Sequence, residues 1–232
     1  MKIVSFIPIK LNNERLPGKN TAVLDGRPMC DYMFETISGI DAIDEKYVYC
    51  SDKAIEPYIA PYRDKGLRFL QRDKYLDGYQ VRGLEIIGRF VKDVDADIYI
   101  LSHVTQPFVK ASSIIRALEK VVSGKNDSAF SAVVLQDYMW QNGKPLNYDP
   151  KDFVRTQDLT PIYMETSGFF IFRKEVFTEL GQRIGKNPYI CEVDQFEAVD
   201  IDTPDDFEFA KAVAIHLNEK NARTESRDCH AR

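Results

Sequence analysis

Two short stretches of this chain carry residue types that handle phosphate. Lys10, Arg15 and Lys19 put three cations into one ten-residue loop, and Gly18 beside them lets an anion approach the backbone closely. That composition suits a polyphosphate. Far along the chain, Asp200 and Asp202 stand two residues apart and so share one face of an extended segment. Two like charges on one face call for a cation between them, and hard carboxylate oxygens suit Mg²⁺ bridging protein to phosphate. His103 is the one histidine near these stretches. It is read either as a general base or as a hydrogen-bonding spacer.

The elements that must position these residues follow from the apolar pattern. Ile3, Val4, Phe6, Ile7 and Ile9 form a run typical of a strand buried on both faces, as in a parallel sheet, so the basic loop lies at the strand's carboxyl end, where open α/β sheets bind ligands. Gly26-Arg27-Pro28 reads as a turn, and Met29 to Ile40 as a helix. Lys46 to Cys50 is a second strand with Ser51 and Asp52 at its carboxyl end, either of which can cap a helix beginning near Lys53. Leu67 to Leu70 is a third strand, followed by Arg72. Val81 to Val91 reads as a helix, Asp97 to Leu101 as a buried strand closed by a turn over 102–107, and Ser112 or Ser113 as the cap of the next helix.

Asp127 to Leu135 is a further strand. Periodicity then vanishes over 136–166, a length of irregular chain that is usually functional or interfacial. A strand returns at Glu165 to Phe172. The aspartate pair falls on a short strand, after which Thr203 caps and Pro204 opens a final helix. One domain is expected over residues 1–220, with a flexible tail over 221–232.

Composition narrows the partners. The 232 residues are 44% hydrophobic and 29% charged, with a net charge of −5, which disfavours a nucleic-acid partner and leaves the basic loop as a local exception suited to a small anion. No apolar run approaches the roughly 20 residues of a membrane span, and the first strand lacks the flanks of a secretory signal. A cytoplasmic protein without membrane contact is expected. Cys30, Cys50, Cys191 and Cys229 show no metal or redox spacing.

The loop ending Arg15-Leu16-Pro17-Gly18-Lys19-Asn20 resembles the nucleotide-binding signature of the acylneuraminate cytidylyltransferases and their relatives that activate 3-deoxy-2-keto sugar acids. Later segments match in the same order over most of residues 1–215: Ser51-Asp52, Arg72, Thr105-Gln106-Pro107, Arg155-Thr-Gln-Asp-Leu-Thr-Pro-Ile-Tyr163, and Asp200 with Asp202. The resemblance implies a single-domain nucleotide-diphospho-sugar-transferase fold, α/β, with a mostly parallel sheet, helices on both faces and a protruding dimerisation arm at 136–166.

It further implies transfer of CMP from CTP to an acidic keto sugar with Mg²⁺, in a homodimer. By that resemblance Lys10, Asn12, Arg15, Lys19, Asn20, Asp52 and Arg72 hold the nucleotide, with Lys10, Arg15 and Lys19 acting in catalysis. Thr105, Gln106, Arg155, Gln157 and Tyr163 hold the sugar acid, Arg155 by its planar two-pronged fork, and Asp200 and Asp202 hold the metal. The position of His103 is one where that family commonly carries a glutamine, which favours the spacer reading.

The chain also departs from the pattern. Lys10 stands for an arginine, Leu11 for a small residue, Glu14 for a position often cationic, Asp77-Gly78-Tyr79-Gln80 for an aspartate with small hydroxyl residues, and Ser167 and Phe169 for an asparagine and an alanine. These departures keep two alternatives open: a catalytically degenerate binder of nucleotide or sugar acid, and a same-fold transferase using another nucleotide or acceptor.

Overall fold

The computed structural model describes residues 1–13 and 15–230, with side chains as far as Lys220. β1 (Ile3–Ile9) is buried along almost its whole length and lies in the middle of a seven-stranded sheet. The basic loop follows it and ends in a 3-10 turn, Lys19–Thr21. A hairpin of β2 (Val23–Leu24) and β3 (Arg27–Pro28) comes next. Its turn is Asp25-Gly26, both with positive φ (47° and 82°), so the turn sits one residue earlier than expected and Arg27-Pro28 is strand.

α1 (Met29–Ser38) leads to β4 (Glu45–Cys50), the short α2 (Glu56–Ile59) and β5 (Leu67–Gln71). α3 (Gly83–Asp93) begins two residues later than its apolar pattern, because the extended backbone of Arg82 precedes it. β6 (Ile98–Ser102) and α4 (Ala111–Val122) follow. No side chain at the Lys110 N-cap serves α4; the buried Glu197 carboxylate reaches across the chain instead, accepting from the Lys110 backbone N–H (3.0 Å) and the Ser113 hydroxyl (3.1 Å). Ser113 thus donates to the true anion rather than capping the helix itself.

β7 (Ser128–Leu135) is followed by a small hairpin of β8 (Trp140–Gln141) and β9 (Lys144–Pro145) within the irregular excursion. β10 begins at Ile162 and runs to Arg173, so the last residues of the expected excursion already pair with β7. α5 (Lys174–Leu180) and β11 (Pro188–Glu192) complete the sheet, and α6 (Pro204–His230) closes the chain. The flexible tail expected over 221–232 lies outside the described side chains, as does Cys229. Cys30, Cys50 and Cys191 are free and buried.

The sheet order is β11-β7-β10-β6-β1-β4-β5, and β10 alone runs antiparallel to its neighbours. Alternation along β1 feeds two cores: Ile3, Ile7 and Ile9 pack with α1, α4 and α6 on one face, Val4 and Phe6 with α3 and Val176 of α5 on the other. Helices therefore cover both faces. Such parallel strands expose only their ends to ligands. Among the described residues no helix is long and apolar enough to cross a membrane.

Candidate active site

The loop after β1 folds back on itself through its own polar groups. The Asn20 amide donates to the Lys10 carbonyl at 2.8 Å, closing the loop base, and Gly18 takes a left-handed φ of 69° that only glycine adopts at little cost. No atom lies within 4 Å of where a Gly18 Cβ would stand, so backbone conformation rather than crowding explains that glycine.

Lys19 is turned inward. Its side chain is 9% exposed, and its Nζ donates to the Ile201 carbonyl (2.6 Å) and to Asp202 Oδ1 (2.8 Å). Arg15 Nη1 donates to the other oxygen of Asp202 at 3.0 Å. One carboxylate thereby ties together two cations from the opposite end of the chain. Lys10 and Asn13 complete this wall of a cleft of about 380 Å³, with the exposed Tyr79 facing them and the Lys10 Nζ 5.7 Å from the Tyr79 ring centre.

The aspartate segment is extended but joins no strand. It is held by one backbone bond, Ile201 N–H to the Thr105 carbonyl at 2.9 Å, which correctly puts Ile201 in the core with an aspartate on either side but leaves no ladder. The Thr105 side chain lies near Asp200 and favours its charged form. Asp200 is an exposed residue whose carboxyl group is partly desolvated, which raises its pKa; Thr105 opposes this, the charge of Asp202 adds to it and Lys19 offsets part. Thr203 caps α6 reciprocally with Asp206: the Asp206 N–H donates to Thr203 Oγ1 (3.3 Å) and the Thr203 N–H to Asp206 Oδ2 (2.7 Å).

Asp200 and Asp202 offer two hard carboxylates, and among the described residues no group of three or more metal-ligating side chains gathers. That donor set suits a cation that completes its shell with phosphate oxygens and water, as Mg²⁺ does, and not one needing a closed protein cage.

Beside the phosphate-type cleft lies a second lobe of about 270 Å³, sharing Lys10, Asn13 and Lys19 and walled by Arg72, Leu76, Gly78, Val81, His103 and Thr105. Its buried polar atoms are incompletely paired: Asn13 Oδ1, Asn20 Oδ1, and Nε and Nη1 of Arg72 have no partner. Buried donors and acceptors in that state are rare in folded proteins and mark a place where a ligand supplies the missing bonds.

His103 lines this lobe and its Nδ1 lies 2.7 Å from the Ser167 carbonyl, which must accept, so Nδ1 carries the proton. Burial lowers the His103 pKa; the Ser167 bond opposes this and the charge of Arg183 adds to it. The ring is therefore neutral at pH 7. This is the spacer reading, and His103→Gln is expected to keep kcat/KM within about fivefold of the parent, with no loss of an ionisation near pH 6.5 from the rate profile. A hundredfold loss would restore the general-base role.

The other expected residues fall as follows. Lys10, Arg15, Lys19, Asn20, Arg72, Thr105 and Asp202 line the two lobes, and Asp200 adjoins them. Gln106 is buried behind the lobe, packed so tightly on Gly168 that a Cβ there would meet its Oε1 at 2.7 Å. Asn12 is exposed and Asp52 serves as a cap, accepting from the Ala54 N–H at 3.0 Å; neither lines the lobes. Arg155 pairs with Asp158 (2.8 and 3.2 Å), Tyr163 donates to Glu192 (3.0 Å), and Gln157 lends its carbonyl to Gln136. These three lie on the excursion and the start of β10, outside both lobes. Glu14 lies outside the described residues. Asn13, Asp77 and Tyr79 are cleft or near-cleft residues that sequence reasoning did not assign; only their nearness to Asn12 and Arg72 could have flagged them.

A mostly parallel sheet with one reversed strand, and a basic loop facing an aspartate segment at the strand ends, define the nucleotide-diphospho-sugar-transferase class. A solved structure titled CMP:2-keto-3-deoxy-manno-octonic acid synthetase complexed with CTP shares this fold, with a TM-score of 0.68 at 18% identity over 94% of this chain and 100% of that one. The chain belongs to the cytidylyltransferase family, whose model matches residues 4–228. Among curated relatives, the N-acylneuraminate cytidylyltransferase of Streptococcus agalactiae is 26% identical over 89% of this chain. The chain spans 52% of that protein, about half its length. The pseudaminic acid cytidylyltransferase of Campylobacter jejuni is 24% identical over 96% of this chain and 100% of its own length.

Proposed function

We propose that this protein transfers CMP from CTP to a sialic-acid-like 2-keto-3-deoxy sugar acid and releases pyrophosphate. The observation that carries the reading is the meeting of Lys10, Arg15 and Lys19 with Asp202 in one cleft, in a chain of the cytidylyltransferase family. The names of its relatives, cytidylyltransferases of N-acylneuraminate, pseudaminic acid and 3-deoxy-manno-octulosonate, support a sugar acid as acceptor without choosing among them.

In this reaction the acceptor's anomeric hydroxyl attacks the α-phosphorus and the bond to the β-phosphate oxygen breaks. Catalysis of phosphoryl-type transfer is mostly positioning and charge neutralisation. Lys10, Arg15 and Lys19 hold the triphosphate and offset the charge that grows on pyrophosphate. Arg72, buried with two N–H groups to spare, meets the base in the smaller lobe. Asp200 and Asp202 are the residues that would hold Mg²⁺, which supplies Lewis-acid polarisation of the phosphate when bound.

The acceptor half is thinly furnished in a single protomer, since Arg155, Gln157 and Tyr163 stand apart from the lobes. The excursion exposes Trp140 (59%), Phe153 (69%) and Met164 (47%), an apolar surface of the kind that marks an interface. A homodimer, in which one protomer's excursion completes the other's acceptor site, accounts for both features. The protein is placed in the cytoplasm, where CTP is available.

The test is pyrophosphate release from CTP and Mg²⁺ across a panel of 2-keto-3-deoxy sugar acids. Release with one acid well above the others names the acceptor. Silence across the panel, with CTP still raising the melting temperature, would leave a binding-only relative.

A further inference from the structure

Asp77 belongs to the stretch in which this chain leaves its family's pattern, and its surroundings show what it is doing there. Its carboxylate is 13% exposed and takes three donors: Arg72 Nη2 on Oδ1 at 2.9 Å, and the Ser51 hydroxyl (2.6 Å) and Lys74 Nζ (3.0 Å) on Oδ2. Burial acts to raise its pKa, but these hydrogen bonds and the charge of Arg72 outweigh it and hold the carboxyl below its usual range. It is a carboxylate at neutral pH.

The division of donors between the two oxygens matters. A free aspartate facing a guanidinium closes onto it with both oxygens. Here Ser51 and Lys74 occupy Oδ2, so Arg72 is gripped by one N–H only, and its Nε and Nη1 remain buried and unpartnered in a side chain that is 2% exposed. Arg72 stands in the wall of the smaller lobe, whose Leu76, Gly78, Val81 and Ile86 provide apolar contact suited to a planar ring.

We propose that Asp77, held by Ser51 and Lys74, is a positioning residue for base selection: it fixes Arg72 by one prong and leaves the other donors for the base. The inference rests on the reading that this lobe receives the base of CTP. Arginine has donors and no acceptor. Cytosine meets it with two adjacent acceptors, N3 and O2, whereas uracil presents an N3–H that finds no acceptor on the guanidinium. The geometry thus favours cytosine over uracil through an arginine whose free donors are set by Asp77.

The experiment is calorimetric binding of CTP, UTP and inorganic tripolyphosphate to the full chain, the parent against Asp77→Asn and Ser51→Ala, each checked for a cooperative melting transition. The parent is expected to prefer CTP by about tenfold to a hundredfold, the range set by one good bidentate contact to a base edge. In Asp77→Asn the preference collapses to within about threefold, while tripolyphosphate binding stays within about twofold. Ser51→Ala removes one of the two donors that hold Oδ2 away from Arg72 and leaves Lys74, so it loses preference in the same direction to a smaller extent. Equal weakening of CTP and tripolyphosphate, or a CTP preference that survives in both folded variants, would overturn the role of Asp77 alone. Equal binding of CTP and UTP by the parent would overturn the cytosine reading itself.

Discussion

Replacing Lys19 with alanine is expected to lower kcat/KM by about 10²–10³-fold, the loss usual when one preorganised charge-stabilising group is removed from an active site. Lys19 is the cation set deepest in the cleft, with its ammonium bonded to the Ile201 carbonyl and to Asp202. Those bonds also pin the loop after β1 to the segment before α6, so the variant is expected to melt at a lower temperature. Lys19→Arg separates the two effects. It keeps charge but cannot fit a larger fork into a position this buried, and it should remain impaired in turnover. Steady-state pyrophosphate release together with a melting curve measures both, and activity within threefold of the parent in Lys19→Ala would remove Lys19 from the mechanism.

Asp202→Asn is expected to act in opposite directions on binding and on turnover. Without a ligand, Asp202 engages both Arg15 and Lys19, the cations assigned to the triphosphate. The triphosphate and the carboxylate therefore compete for the same donors. Removing the charge frees the cations, so CTP binding in the presence of a metal chelator should tighten, by about two- to fivefold once solvent screening of this half-exposed pair is allowed for. Turnover with Mg²⁺ should nonetheless fall by about 10²-fold or more, because one of the two metal-holding carboxylates is gone. Calorimetry in chelator and rate measurements in Mg²⁺ read the two arms. Weaker metal-free binding in the variant would show that Asp202 does not compete with the phosphates.

Much of this arrangement was legible before any coordinates. The apolar run of β1 and the abrupt polarity switch after Ile9 placed the basic loop at a strand end, since only a strand buried on both faces carries so little alternation. Thr203, Pro204 and the apolar spacing of Phe207, Ala210, Val213, Ala214 and Leu217 fixed α6 through local capping and helical period; the first four are in the core and Leu217 packs partly buried against it. Local chemistry was enough in both places.

What was not legible depended on distant partners. The insertion of β10 antiparallel between β6 and β7 is set by long-range pairing that no local pattern encodes. The elements over 174–192, α5 and β11, are too short to carry a clear period. The aspartate segment alternates like a strand, yet its one backbone partner is the Thr105 carbonyl and its other bonds go to the side chains of Lys19 and Asp206, so it joins no ladder. Asp77 reads only as part of an altered segment until Ser51, Lys74 and Arg72 are seen around it. Arg155 resembles a ligand-binding arginine in sequence and pairs with Asp158 three residues on, a neighbour whose side-chain direction only the folded backbone reveals.

The most direct test of the account follows the α-phosphorus of CTP. With CTP labelled at that position, Mg²⁺ and the acid that gives the strongest pyrophosphate release, the full chain is predicted to move the label into a CMP-sugar while pyrophosphate emerges unlabelled. Label retained in CTP, or appearing only in free CMP whatever acid is present, would contradict transfer to a keto sugar acid as the function of this site.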